Sequence, residues 1–169
     1  SGIERIRLGS LEPDLITEDF LIKLSKNHNF CPQFHLSLQS GSNKILKSMR
    51  RLYTKEDYLN IVNKIKNLFE NCSITTDLIV GFPGESEKDF LESLEVIKKV
   101  GFLKVHIFPY SIRKGTLAAS MPNQISKNIK LSRVKEAIAV ATQQTNIILK
   151  SFIGTRLPVL YENSKDGIY

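Results

Sequence analysis

The chain has 169 residues, 41% of them hydrophobic and 24% charged, with a formal net charge of +7. That composition suits one soluble globular domain, or a large piece of one, with enough apolar residues to bury a core. No segment approaches the roughly 18 uninterrupted apolar residues of a membrane helix. The start, Ser1-Gly2-Ile3-Glu4-Arg5, lacks an initiator Met and the charged-then-apolar profile of a signal peptide, so a cytoplasmic, excised fragment is expected.

In chain order, Arg5–Leu8 alternates and predicts a short strand that ends in Gly9-Ser10-Leu11-Glu12-Pro13. Thr17 caps a helix to about Lys26. Phe34–Leu38 is the second strand, ending in Gln39-Ser40-Gly41-Ser42. A short helix from Lys44 to Met49 precedes Arg50-Arg51, and Thr54 caps the next, with Tyr58, Ile61, Ile65 and Leu68 at helical spacing. Ile74–Val80 reads as a third strand with little alternation, as if buried on both faces. Gly81, Pro83 and Gly84 end it, and Ser86 starts a helix with Asp89 at the capping-box position and a stop at Gly101. Lys104–Phe108 is the fourth strand, ending in Pro109-Tyr110-Ser111. A loop with Arg113, Gly115 and Thr116 leads to a long helix from about Leu131 to Phe152, and 156–161 resembles a last strand.

A strand, a polar or glycine turn and a helix recur four times, which predicts an α/β chain with a parallel sheet. Ligand chemistry then gathers at the carboxyl ends of the strands. The residues stationed there are Ser10 and Glu12, Gln39 and Ser40, Asp77 and Gly81, and Tyr110 and Ser111. Carboxylates, an amide and hydroxyls on one rim suit a ligand with an amine, a carboxylate and a ribose. Asp77 interrupts an apolar strand, where a carboxylate without partners is costly, although neighbouring backbone is an alternative partner. Cys31 and Cys72 are far apart with no CxxC spacing, which argues for two reduced structural thiols. Lys44, Lys47, Arg50, Lys127, Lys130, Arg133 and Lys135 form either a phosphate-facing stripe or a solvated face.

Four segments then carry a resemblance. They are His35-Leu36-Ser37-Leu38-Gln39-Ser40-Gly41-Ser42, Met49 to Thr54, Asp77 to Glu85, and His106-Ile107-Phe108-Pro109-Tyr110-Ser111 running on to Thr116. In order and in register from Arg5 to about Arg133, they resemble the radical SAM tRNA methylthiotransferases. The fourth segment is most similar to the branch acting on threonylcarbamoyladenosine. The isopentenyladenosine and ribosomal-protein branches are the nearest alternatives.

The resemblance implies a partial (β/α)6 barrel over residues 1–155, holding barrel strands three to six. Residues 156–169 would begin a C-terminal tRNA-binding β-domain or its linker. It implies S-adenosylmethionine (SAM), 4Fe–4S clusters whose CxxxCxxC ligands lie outside this chain, tRNA and an electron donor as partners, and no membrane. The implied reaction places a methylthio group on C2 of the modified adenine in the anticodon loop, and this chain alone would be inactive. For SAM, the resemblance assigns Gln39 and, twelve residues on, Arg51 to ribose and methionine carboxylate, Asp77 to ribose hydroxyls, and Glu12 to the methionine amine. Ile79, Gly81 and Phe108 would flank the adenine, and Ser40 is a further SAM-binding candidate. Tyr110, Arg113 and Thr116 are candidates for substrate, and Phe82 for base stacking; no special role falls to Glu85. A different radical SAM enzyme and a non-catalytic α/β nucleotide- or RNA-binding module are the other classes the same rim allows.

Overall fold

The computed structural model describes residues 2–156. Four parallel strands form one sheet in the order β1-β2-β3-β4, namely Ser10–Leu11, Gln33–Leu36, Ser73–Val80 and Lys104–Pro109. Helices α1 (Glu18–Ser25), α2 (Asn43–Ser48), α3 (Lys55–Leu68), α4 (Glu87–Val100), the short α5 (Leu117–Ser120) and the long α6 (Lys127–Ser151) connect and follow them. None of these is long and apolar enough to cross a membrane. The 156–161 segment read as a last strand lies, beyond Arg156, outside the described residues, as does the start of a C-terminal domain.

Helix ends follow local chemistry. Thr54 and Ser86 each accept from the backbone N–H three residues on, and Asp57 and Asp89 reach back to complete two capping boxes. Gly101 closes α4 in the left-handed region at φ 65°. Thr17 caps α1 as expected. Ser126 caps α6, so that helix starts one turn earlier than Leu131.

Two strands differ from the sequence reading, each for a reason in its neighbour. Residues 5–8 make only an isolated bridge, Ile6 to Phe30, and the ladder resumes at Ser10–Leu11 against His35–Leu36. Between these points Cys31-Pro32-Gln33 folds into a tight turn, with Gln33 N donating to the Cys31 carbonyl at 2.6 Å. That bond ties up the Gln33 N–H and the Cys31 carbonyl, the groups the ladder with residues 5–8 would use next, so the ladder is interrupted there. The second strand ends at Leu36, and pairing returns only at Gln39 opposite Leu78. His35 faces Thr75, so Ser37 and Leu38 occupy the space of one partner residue, a bulge. Side chains take up the freed backbone: Leu38 N donates to Thr76 Oγ1 at 2.9 Å, and the Tyr53 hydroxyl donates to the Ser37 carbonyl at 2.6 Å.

The third strand alternates after all. Ile74, Thr76, Leu78 and Val80 are buried, while Thr75, Asp77 and Ile79 are half-buried. Only the outer face is roofed by helices. There Phe34, Leu36, Leu78 and Val80 pack with Tyr58, Val62, Ile65, Phe90, Leu94 and Ile97 in one core cluster. Burying each such large apolar side chain contributes about 1.5–3 kcal/mol. Phe30, Phe34 and Phe69 close the amino end of the sheet as an edge-to-face triad with centroids 5.0–5.6 Å apart. The inner face carries polar residues and the candidate site.

Candidate functional site

Gln39 owes its position to the bulge. Its N–H donates to the Asp77 carbonyl and its own carbonyl accepts from Ile79 N, both at 2.9 Å. Its φ is +62°, a conformation that side-chain-bearing residues rarely adopt and that is held here by the two flanking bonds to β3. Gly41 explains the next turn. A Cβ there would lie 2.5 Å from Ser93 Cα, so α4 packs directly on this backbone.

A cavity of about 590 Å³ opens at the carboxyl ends of β2, β3 and β4. Gln39, Asp77, Ile79 and Phe108 line it, together with Tyr110, Arg113 and Thr116 from the loop after β4. A second cavity of about 270 Å³ shares Ile79 and Tyr110 with the first and continues to Arg51, Met49, Phe82 and Met121. Arg51 is half-buried and donates through Nη1 to both oxygens of Glu12, at 2.7 and 2.8 Å. The Tyr110 hydroxyl is buried with no hydrogen-bond partner among the described residues. A ligand able to hydrogen-bond would satisfy that orphaned group.

The structure therefore gathers most of the sequence-predicted residues, but two sit apart. Ser40 is fully buried, and its hydroxyl accepts from Ser42 N at 3.2 Å instead of facing either cavity. Gly81 lines neither cavity; it packs under the Lys130 side chain at φ +73°. Thr116 lies on the rim, where its hydroxyl donates to the Arg113 carbonyl at 2.8 Å and orders the loop.

Three expectations need correction. Asp77 is paired not with neighbouring backbone but with His35, whose Nε2 lies 3.2 Å from Oδ2. Phe82 is buried and packs against Tyr110 with ring centroids 5.2 Å apart, so little of its surface is left for a base to stack on. Arg133 is no phosphate-facing residue: it is buried and donates to Glu85 Oε2 at 2.6 Å, and the same oxygen accepts from Gly81 N at 2.7 Å. Burial pushes the Glu85 carboxyl up, against the Gly81 N–H and the Arg133 charge, which favour its anion. Glu85 thus ties the turn after β3 to α6. Lys130 of α6 likewise donates to the Tyr110 carbonyl at 2.9 Å and lies over its ring. Sequence reasoning missed this clasp, and it missed His35 and His106 as inner-face residues. Both histidines alternate with apolar neighbours, and that period of two was the available signal.

A family model described as the Radical SAM superfamily matches residues 2–97. The chain belongs to the radical SAM superfamily. Its relatives share more than the domain. It is 42% identical to the tRNA-2-methylthio-N(6)-dimethylallyladenosine synthase of Mycobacteroides abscessus, over 98% of this chain and 33% of that protein. It is 44% identical to the threonylcarbamoyladenosine tRNA methylthiotransferase MtaB of Chlamydia pneumoniae, over 95% of this chain and 38% of that one. The chain thus spans about a third of the length of the curated relatives it matches. Among solved structures, coproporphyrinogen III oxidase from Escherichia coli superposes with a TM-score of 0.69 at 22% identity, covering 83% of this chain and 32% of that one. Methylornithine synthase superposes with a TM-score of 0.59 at 12% identity, covering 81% and 39%. Those likenesses identify the fold as part of a radical SAM barrel.

The superfamily implies SAM and a 4Fe–4S cluster. The donor set on the rim fits SAM: an amide and a carboxylate for hydroxyls, an arginine–glutamate pair for a zwitterion, and apolar walls for a base. The cluster has no such fit. Cys31 precedes β2 and Cys72 precedes β3, so both stand at the amino ends of the strands, opposite the cavity. Burial pushes the Cys72 thiol up, away from the thiolate that ligation needs.

Proposed function

We propose that this chain supplies the SAM-binding wall of an enzyme that methylthiolates C2 of threonylcarbamoyladenosine in the tRNA anticodon loop. The observation that carries the SAM reading is the convergence of Gln39, Asp77, Ile79, Phe108 and Tyr110 on one cavity beside the Arg51–Glu12 pair. In this reading Arg51 takes the methionine carboxylate and Glu12 the ammonium, so the ligand inserts its own opposite charges into an existing ion pair. Gln39 and Asp77 meet the ribose hydroxyls, and Ile79 and Phe108 flank the adenine. None of these residues does acid–base work; they hold and orient. Bound there, SAM supplies the methyl group and the radical source of the superfamily's chemistry. Residues 156–169 lead into an RNA-binding domain, and the isolated chain cleaves no SAM, since its cysteines do not fit a cluster.

Support for the threonylcarbamoyl branch is the His106-Ile107-Phe108-Pro109-Tyr110-Ser111 segment, which sets Phe108 and Tyr110 on the cavity. A second reading has support of its own: several relatives at 41–43% identity carry the dimethylallyladenosine name. Mass spectrometry of tRNA from cells with and without the full-length gene separates them. Loss of the 2-methylthio group from threonylcarbamoyladenosine is expected. Loss from isopentenyladenosine instead would establish the second reading, and unchanged tRNA would overturn both.

A further inference from the structure

The inner face of the sheet brings together three side chains that the SAM reading does not use as a set. His35 of β2, Asp77 of β3 and His106 of β4 each offer one ligand atom, and these atoms all lie within 4.8 Å of one another. The juxtaposition follows from parallel pairing. Asp77 and His106 are register partners, and His35 pairs with Thr75, two residues before Asp77 on the same face. All three are half-buried, and the two imidazole rings lie 5.9 Å apart.

Two features make this trio compatible with a bound metal ion. His35 Nε2 and Asp77 Oδ2 are 3.2 Å apart. That matches the edge of roughly 3.3 Å between two ligands of a tetrahedral ion with bonds near 2.0–2.1 Å. The other nitrogen of His35 is also already held. Nδ1 lies 2.9 Å from Thr75 Oγ1, which accepts from Gln33 Nε2 at 3.3 Å, and Gln33 Oε1 accepts from Arg7 at 3.0 Å. An imidazole whose second nitrogen is fixed on an oxygen, itself fixed by a further donor, is the outer shell that orients metal-bound histidine.

We infer that His35, Asp77 and His106 form a site for a divalent transition ion such as zinc(II), with an open position towards the cavity that Asp77 also lines. Two neutral imidazoles and one carboxylate suit zinc(II), cobalt(II) or iron(II), and discriminate against magnesium and calcium, which prefer all-oxygen shells. Asp77 engages His35 through Oδ2 alone; its Oδ1 makes no hydrogen bond among the described residues. The inference does not use Arg51 or Glu12; it shares Asp77 with the SAM reading, with Oδ2 towards the histidines and Oδ1 left for a ribose hydroxyl.

The test is a cobalt(II) titration of the 169-residue chain, followed by visible absorption, with thermal melting alongside. One equivalent should bind with the d–d bands of a low-symmetry site and without the near-ultraviolet band of thiolate ligation, and the ion should raise Tm. His35→Gln and His106→Gln should each weaken binding at least about tenfold while melting normally without metal. Thr75→Val should weaken it about tenfold through the outer shell. His28→Gln, which alters the remaining histidine of the sequence, should change nothing. If a folded variant is lost at one position, the other histidine variant and the metal-dependent rise in Tm still decide. Absence of stoichiometric binding, a thiolate band, or equal affinity in a folded His106→Gln variant would overturn the site.

Discussion

Arg51 spends one terminal nitrogen on both oxygens of Glu12. Its Nη2 and Nε make no hydrogen bond among the described residues, so the guanidinium keeps donors for a second carboxylate. With Arg51 28% and Glu12 41% exposed, the pair itself contributes little to stability, about 0–1 kcal/mol. Glu12→Gln in the full-length protein should therefore leave the urea midpoint almost unchanged and weaken SAM roughly tenfold or more. A shift in the urea midpoint with unaltered SAM affinity would make the pair structural.

Gly41→Ala tests the packing of α4 on the turn after β2. The new methyl group would meet Ser93 Cα at 2.5 Å and the Glu92 carbonyl at 2.7 Å, both backbone atoms that no rotamer change moves. A loss of about 1–3 kcal/mol is expected in equilibrium unfolding. A neutral result would mean that α4 sits further away.

Arg133→Met addresses the clasp under the β3 turn. It strands the buried Glu85 without its cation, and a loss of about 3–5 kcal/mol is expected in urea. Adding Glu85→Gln should recover part of it, because the amide carries no charge and still accepts from Gly81 N. Equal losses in the single and double variants would show that the pair's charge is not what matters.

Asp89 makes stability acid-sensitive. Burial opposes its charge, but hydrogen bonds from Lys44, Ser86 and Ser42 outweigh this and hold the carboxyl well below the usual carboxylate range. A depressed folded value adds stability that is complete above the ordinary pKa of about 3.9 and is lost as pH falls towards the folded value. Asp89→Asn should therefore be less stable than the parent at neutral pH, and the gap should close in acid. A gap independent of pH would contradict the assignment.

What the sequence disclosed and what it hid divide along the range of the interactions. The cap at Thr54 and the capping box at Ser86 were legible because three residues suffice to make them. The neighbourhoods of Gln39, Asp77 and Tyr110 were legible because polar residues interrupt or end apolar runs there, although the second strand itself stops at Leu36. Pairing across strands was not. The displacement of β1 depends on a turn at Pro32 in its neighbour, and the bulge at Ser37–Leu38 depends on Thr76 and Tyr53 replacing ladder bonds. The partner of Asp77 is a histidine on the adjacent strand, 42 positions away. Arg133 looked like a surface cation because charge is legible in a sequence, whereas burial against Glu85 is not.

The most direct measurement is a SAM titration of the full-length protein against Arg51→Ala and Asp77→Ala, with folding of each variant checked by thermal melting. Removing a charged hydrogen-bonding group at either position should weaken SAM by about 1.5–3 kcal/mol, roughly ten- to a hundredfold. Unchanged affinity in both folded variants would contradict the assignment of this cavity to SAM.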